Sequence, residues 1–313
     1  MQSSKVPHID ICIATYKRPK ILAQLLLSIA NLVRSDAFNY AVILVDNDAD
    51  ESACDIASEF VHTGMPLRYL LEPRKNISLA RNMAIEASQA DFIAIVDDDE
   101  QVPPDWLKRL FEAQASHCAD AVFGPVRAYF PPHVRNFLTE NGFFARPDPE
   151  TGAVKKFVPA TSNVLVRRKA LERLGYLFDP AFGVTGGEDT DLFYRLRQTG
   201  ATWVWCREAY VEEYFGEHRT TLTWLFLRHL SCGMIWSRVH KPSSFSQWPV
   251  FVGMRLLGPL ISFKKLVPSA TNDRVPKIAR FSLRLVGSIG ELIGLFSIKY
   301  RAYDDRRYLP REG

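Results

Sequence analysis

Four consecutive acidic residues follow an apolar run in the first third of the chain. The run 92–96 leads directly into Asp97, Asp98, Asp99 and Glu100. Adjacent carboxylates repel one another and tolerate burial poorly, so they require a compensating cation. Oxygen ligands of this kind suit Mg²⁺ or Mn²⁺, which often bridges a protein to a diphosphate. The cluster therefore predicts a metal–diphosphate site, and a solvated acidic turn is the structural alternative.

A second acidic segment lies further along the chain, where Gly186 and Gly187 precede Glu188 and Asp189. Glycines allow close approach of the backbone to a ligand. A helix is predicted to begin near Glu188, which puts both carboxylates in its first turn. They are candidates for a general base that takes a proton from a hydroxyl. Favourable negative charge at a helix N-terminus is the alternative.

Three further polar side chains are candidates for ligand contacts. Asn76 and Arg81 flank the start of a predicted helix, where an anion can bind. An ordinary surface ion pair is the alternative for Arg81. His218 follows a predicted strand and is a candidate metal ligand or a packed side chain.

Strands and helices must alternate to position these groups. Apolar runs and helical spacing predict strands over 8–14, 41–45, 67–72 and 91–96, and helices over 20–33, 51–62, 78–90 and from Pro103. Further strands are expected over 121–130, 158–168 and 201–214. This order predicts an α/β protein with a doubly wound, mostly parallel sheet. Ligands bind at the carboxyl ends of such strands, which carry Thr15–Arg18, Asp46–Asp48 and Asp97–Asp99.

The motifs TYKRP, VDND, KNISLARN, IVDDDE and GGEDTD occur in this order along residues 15–191. Together they resemble the family 2 glycosyltransferases, over about residues 8–220. Within that family, NISLARN followed by DDDE is similar to the bacterial exopolysaccharide glucosyltransferases of the succinoglycan type. The resemblance implies the GT-A fold, with a Rossmann-like nucleotide-binding half and an acceptor half.

The resemblance also implies roles for individual residues. Nucleotide contacts are expected from Thr15, Tyr16, Arg18, Asp46, Asn47, Asn76, Arg81, Asp97 and Asp98. Asp46 matches the acid that reads the nucleobase, commonly uracil. Many members carry paired aspartates and then Gly-Ser here, so it stays open which of Asp46, Asn47 and Asp48 faces the base. Asp99 matches the ligand of the divalent metal, and His218 is a second candidate ligand. Asp189 matches the catalytic base, with Glu188 beside it.

These roles imply an inverting transfer from a nucleotide sugar, with a UDP-hexose as the expected donor. The sequence lacks the QxxRW motif of processive synthases, which favours addition of a single sugar. A polyprenyl-diphosphate-linked saccharide is the expected acceptor, in exopolysaccharide or cell-surface glycan synthesis. A glycosidase also uses two carboxylates, but it needs neither a metal cluster nor a nucleotide loop. The alternative function is a non-catalytic nucleotide-sugar-binding protein that helps to assemble a polysaccharide complex.

Charge is distributed unevenly along the 313 residues. The net charge is +4, yet residues 240–313 contain 13 basic and five acidic residues. The apolar segments 222–239, 248–267 and 278–300 are interrupted by arginines and lysines. This combination predicts amphipathic helices on an anionic membrane surface. A helical subdomain packed on the core, or a homodimer interface, is the alternative.

We therefore expect a catalytic domain over 1–220 and a basic, helical, membrane-associating region over 221–313. The expected location is peripheral, on the cytoplasmic face of the inner membrane. The first ten residues lack the apolar core of a secretory signal. Nucleic-acid binding is not expected, because the basic tail contains no recognisable module and is too apolar.

Overall fold

Strands and helices alternate through the first 120 residues, as the sequence predicts. The computed structural model describes residues 6–146, 148–154, 160–242, 244–254, 257 and 274–296. The first four strands are β1 (His8–Thr15), β2 (Asn39–Asp46), β3 (Leu67–Leu71) and β4 (Phe92–Val96). The helices among them and after them are α1 (Pro19–Ala30), α2 (Cys54–His62), α3 (Ile77–Ala87) and α4 (Trp106–His117).

The remaining strands have two to five residues each, and the remaining helices vary more in length. The strands are β5 (Glu100–Gln101), β6 (Ala121–Phe123), β7 (Val126–Tyr129), β8 (Gly152–Ala153), β9 (Asn163–Arg167), β10 (Trp203–Trp205) and β11 (Val211–Tyr214). The helices are α5 (Phe137–Glu140), α6 (Arg168–Leu171), α7 (Glu188–Gln198), α8 (Leu222–Val239) and α9 (Arg274–Leu295).

Eight strands form the large sheet, in the order β3-β2-β1-β4-β9-β6-β10-β8. The first four of these are mutually parallel, and β9 runs antiparallel to both β4 and β6. Both faces of the sheet are buried, because α1 and α4 cover one side and α3 and α7 cover the other. The predicted α/β class and the mostly parallel sheet are thereby confirmed.

The segment 201–214 differs from its expected simple strand pair. Its first half, β10, pairs with β6 in the large sheet. Its second half, β11, joins β5 and β7 in a separate three-stranded sheet. The acidic turn after β4 therefore leads directly into this small sheet through β5.

The chain divides into two compact units that alternate along the sequence. The first unit comprises 1–129, 146–184 and 191–214, and the second comprises 130–145, 185–190 and 215–313. In the second unit, α8 and α9 pack so closely that a Cβ on Gly233 would lie 2.0 Å from the carbonyl oxygen of Gly287. Among the described residues, none of the helices is both long and apolar enough to cross a bilayer. Most of the predicted helix 248–267 lies outside the described residues.

Candidate active site

The loops that follow β1, β2 and β4 meet at one edge of the large sheet. The backbone N–H of Asn47 donates to the carbonyl of Thr15 over 2.8 Å. The Thr15 hydroxyl in turn donates to the Asp98 carboxylate over 2.8 Å. Because β1, β2 and β4 are parallel neighbours, their carboxyl ends bring these three loops together. The loop residues that the sequence singles out in this unit are thus close in space.

Arg18 neutralises the centre of the acidic turn. Its Nη1 lies 3.1 Å from Asp98 Oδ1 and 3.3 Å from Asp99 Oδ2. Asp98 is buried, whereas 17% of the Asp99 side chain is exposed. Burial raises the pKa of Asp98, and the Arg18 charge and the Thr15 hydroxyl act in the opposite direction. One guanidinium therefore holds two consecutive carboxylates, one inside the protein and one at its surface.

Arg81 compensates the first carboxylate of the turn. Its Nη2 lies 2.7 Å from Asp97 Oδ1, and the guanidinium is nearly buried while the carboxylate is partly exposed. Arg81 extends from α3, whose N-cap is Asn76: the Asn76 side chain accepts from the backbone N–H of Leu79 over 3.2 Å. The N-terminus of α3 is thus fixed beside the acidic turn, where helix N–H groups favour an anion.

Glu100 is hydrogen-bonded to the backbone at the start of the acidic turn. Its Oε2 accepts from the backbone N–H of Asp97 over 3.0 Å, and its side chain is buried. Across the small sheet it pairs in register with Glu213, which forms an ion pair with Arg146 over 2.6 Å. Burial raises the pKa of Glu100 well above its ordinary value, and the nearby carboxylates of Asp97 and Glu213 raise it further. Both burial and the neighbouring carboxylates thus disfavour the charged form of Glu100.

The Asp46 carboxylate, at the end of β2, is engaged in hydrogen bonds within the protein. Its two carboxylate oxygens accept from the backbone N–H groups of Asp48 and Ala53 and from the Tyr69 hydroxyl, over 2.7–3.2 Å. The residue is completely buried. Burial raises the pKa of Asp46, and the two backbone hydrogen bonds oppose this effect. The carboxylate therefore shapes the loop after β2.

Asn47 ties this loop to the next two connections. Its side-chain amide donates to the carbonyls of Glu72 and Arg74 over 2.8 and 2.7 Å. Its side-chain oxygen accepts from the backbone N–H of Asn76 over 2.8 Å. These three bonds connect the ends of β2 and β3 to the start of α3, so Asn47 also positions backbone around the site.

Two lysines that the sequence analysis did not single out flank Tyr16. The ammonium of Lys75 lies 4.6 Å from the centre of the Tyr16 ring, and that of Lys17 lies 5.7 Å from it. Lys17 adopts a left-handed backbone conformation, with φ of 52°, and forms ion pairs with Asp48 and Asp50. A positive φ at a residue other than glycine is uncommon and often marks a functional site. The motif TYKRP, which contains Lys17, does not by itself predict a left-handed backbone conformation at that residue.

The other predicted catalytic residues belong to the second unit. Gly186 and Gly187 have φ angles of 77° and 98°, which explains the need for glycine there. Glu188 begins α7 and is buried. The Asp189 carboxylate accepts from the backbone N–H of Thr190 over 2.6 Å. The predicted placement of both acids in the first turn of a helix is therefore correct.

His218 also lies in the second unit, within the short helix Glu217–Arg219. The guanidinium of Arg219 packs 4.3 Å from the Phe215 ring and 5.5 Å from the Trp224 ring. A cation over aromatic faces stabilises this connection between β11 and α8. These contacts of Arg219 fix the backbone next to His218.

The chemistry of the acidic turn fits a hard divalent cation. In the ranges that the structure describes, His, Cys, Asp and Glu side chains form no group of three that could hold a metal. Mg²⁺, however, is commonly held by one or two carboxylates together with substrate phosphates and water. The partly exposed Asp99 is an oxygen ligand of that type. The residues present thus fit a metal that arrives with a diphosphate.

Comparison with protein families matches residues 10–175 to the family described as "Glycosyl transferase family 2". The succinoglycan biosynthesis protein ExoM of Rhizobium meliloti is 36% identical, over 93% of this chain and 94% of its own length. Chondroitin synthase of Escherichia coli is 26% identical over 61% of this chain, which corresponds to 32% of that relative.

Solved structures of similar fold include the Staphylococcus aureus protein TarS. A crystal structure of TarS residues 1–349 covers 94% of this chain and 93% of its own, with a TM-score of 0.55 and 14% identity. A crystal structure of the same TarS piece in complex with UDP-GlcNAc matches with a TM-score of 0.54 and 14% identity. At this identity the likeness supports the GT-A fold alone.

The Arg18 bridge predicts a pH-dependent loss of stability in Arg18→Gln. Removing the cation raises the pKa of Asp98 further in the folded state, while its value in the unfolded chain is unchanged. The added loss is complete at a pH where Asp98 is ionised in both folded proteins, wild type and variant, and it vanishes at a pH where Asp98 is protonated in both. We expect a loss of a few kcal/mol at about pH 7, as for a broken buried ion pair, and a smaller loss at about pH 5.

The measurement is the difference in melting temperature between the variant and the wild type at each pH. Arg34→Gln, at an exposed position, is the matched control and should melt like the wild type. A difference that is constant with pH, or that grows on acidification, would contradict the assigned role of Arg18.

Proposed function

The chain belongs to the family 2 glycosyltransferases, and we propose that it transfers one hexose from a UDP-sugar to an acceptor hydroxyl with inversion of configuration. One observation carries this proposal: the acidic turn, Thr15, Arg18 and Arg81 converge at the carboxyl edge of the sheet. The relationship to a succinoglycan biosynthesis protein supports a role in exopolysaccharide synthesis. It also motivates a lipid-linked saccharide, such as a polyprenyl-diphosphate saccharide, as the acceptor.

We assign the nucleotide to the loops of the first unit. Thr15, Tyr16 and Arg18 would contact it from the loop after β1. Asn76 and Arg81 would do so from α3, and Asp97 and Asp98 from the acidic turn. The binding of UDP-GlcNAc by TarS supports a UDP-sugar donor. Asp46 and Asn47 would take part by shaping the loop that meets the base, since their side chains are engaged internally.

Asp99 is the residue that we assign to a divalent metal, with His218 as a second candidate. A bound Mg²⁺ or Mn²⁺ would offset the negative charge that develops on the departing diphosphate. Arg18 already holds Asp99 through its Nη1 and is therefore suited to contact the same charged group. Arg81 supplies a second fixed cation beside Asp97.

Asp189 is the base in this proposal. It would take the proton from the acceptor hydroxyl while that oxygen forms a bond to the anomeric carbon. The bond from that carbon to the diphosphate breaks on the opposite face, so one displacement inverts the configuration. The buried Glu188 would position the backbone of the same helical turn. No protein nucleophile takes part in this single step.

We further propose that residues 1–220 carry out transfer and that 221–313 associates with an anionic membrane surface at the cytoplasmic face. Apolar side chains are exposed on the helices of this region, among them Leu222, Phe226, Ile278 and Ile289. Arg284 is exposed on α9, along with these apolar residues. Apolar contact combined with basic charge is what binds interfacial helices to anionic lipid.

Binding of UDP should raise the melting temperature, and Mn²⁺ or Mg²⁺ should increase that shift, because a ligand of the native state stabilises it by mass action. Asp99→Ala should lose the metal-dependent increment and retain a smaller shift with UDP alone. The measurement is a thermal-shift panel of UDP, GDP, dTDP and CMP, each with and without metal. Asp36→Ala, at an exposed position in the first unit, is the control. An unchanged metal increment in Asp99→Ala would refute the metal assignment.

Asp189→Asn should reduce transfer on the order of a hundredfold or more, because a general base is lost, while UDP affinity stays at the wild-type value. The measurement compares incorporation of radiolabelled glucose from UDP-glucose into membrane lipids with UDP affinity. Full turnover in the variant would disprove the base assignment. Donor binding without turnover in the wild type would instead favour the non-catalytic assembly protein.

Vesicle binding should depend on anionic lipid and weaken as salt rises, because exposed charge is screened. Arg284→Glu should reduce cosedimentation with phosphatidylglycerol vesicles roughly fivefold or more. Arg34→Glu, in the first unit, should bind like the wild type. Equal binding to phosphatidylcholine vesicles, or no effect of Arg284→Glu, would count against the proposed membrane surface.

A further inference from the structure

Two exposed tyrosines lie side by side on the small sheet. Tyr129 is 50% exposed and Tyr214 is 41% exposed, with ring centres 6.3 Å apart and planes inclined by 35°. We propose that this pair is a stacking platform for a hexose ring of the acceptor saccharide. The inference rests on the proposed transferase function and names the surface that recognises its second substrate.

Strand register places the platform beside the acidic turn. Glu100 and Glu213 are directly opposite each other in the antiparallel pair, and both side chains are buried. The next residues in register, Asp99 and Tyr214, are joined by a hydrogen bond from the Tyr214 N–H to the Asp99 carbonyl over 3.4 Å. Because successive side chains alternate between the two faces of a strand, Tyr214 belongs to the exposed face, opposite that of the buried Glu213, and its backbone lies next to that of Asp99.

The parallel pairing of β11 with β7 extends this row by one strand. Tyr214 is in register with Tyr129. Neighbouring strands are separated by about 4.8 Å. Tyr129 on β7 therefore lies two strand spacings, or roughly 10 Å, from the backbone that continues from Asp99 into β5. The row Asp99, Tyr214, Tyr129 therefore leads away from the position assigned to the metal and diphosphate. A sugar stacked on the two rings would therefore lie next to the proposed donor site, within about two strand spacings of Asp99.

The chemistry of this face matches a sugar ring. A tyrosine ring offers a flat apolar surface, with a polar hydroxyl at its edge. The C–H groups of a pyranose face suit the ring surface, and its hydroxyls need polar partners around it. Arg127 and Glu212 are exposed on the same two strands, at the alternating positions that share the face of the tyrosines. Arg127 is held in place by the Tyr210 ring, 3.9 Å from its guanidinium.

Another exposed tyrosine in the same unit provides a matched control. Tyr176 is 51% exposed, but its ring is already covered by the Arg195 guanidinium at 3.9 Å. It has comparable exposure without an open pair of rings. Replacement of Tyr176 thus tests whether any exposed tyrosine affects sugar binding.

The test measures saturation-transfer NMR signals from methyl β-D-glucoside and methyl β-D-galactoside, with the full chain saturated by UDP and Mg²⁺. Tyr129→Ala and Tyr214→Ala should each raise the Kd of the bound glycoside roughly tenfold, as expected for loss of one stacking ring. Tyr129→Phe, Tyr214→Phe and Tyr176→Ala should bind the glycoside like the wild type. UDP affinity should be unchanged in all five variants, which also verifies that they are folded.

Several outcomes would overturn the platform. The first is that the UDP-loaded wild type does not bind the glycoside. The second is that both alanine variants bind the glycoside with wild-type affinity. A third is weaker binding of UDP-glucose in the alanine variants with glycoside binding intact, because the tyrosines would then hold the donor sugar. Failure of UDP itself to bind the wild type would instead refute the proposed function on which the platform rests.

Discussion

Four adjacent carboxylates at the end of a buried strand repel one another, so the folded chain must offset their charge. The protein does so in three different ways. Arg81 pairs with Asp97, Arg18 bridges Asp98 and Asp99, and burial raises the pKa of Glu100 so that it favours a proton. Because the two arginines come from the loop after β1 and from α3, the acidic turn ties these elements together.

This compensation also explains how a folded, stable turn can serve a charged substrate. Arg18 and Arg81 are fixed cations beside partly exposed carboxylates. In the function that we propose, these cations would attract a diphosphate and the carboxylate oxygens would bind its metal. The same turn continues into β5 and therefore connects the proposed donor site to the small sheet. The tyrosine platform is a direct consequence of that connection, since register with β5 and β11 places its rings in line with Asp99.

The alternation of apolar runs and helical spacing was sufficient to predict the first half of the fold. Local pattern could not reveal that β9 enters the sheet antiparallel, or that β10 and β11 belong to different sheets, because pairing is decided by tertiary contacts. The motifs identified the loops that meet at the sheet edge. They could not reveal that the side chains of Asp46 and Asn47 form hydrogen bonds with the protein's own backbone. Nor could they pair Arg146 with Glu213, which is 67 residues away along the chain.

Crystals of the full chain grown with UDP and Mn²⁺ would test the central claim most directly, through an anomalous difference map at the manganese edge. We expect a manganese peak in contact with Asp99 and with the diphosphate of a nucleotide bound between the loops after β1, β2 and β4. A nucleotide bound away from the acidic turn, or manganese on the diphosphate without contact to Asp99, would contradict it.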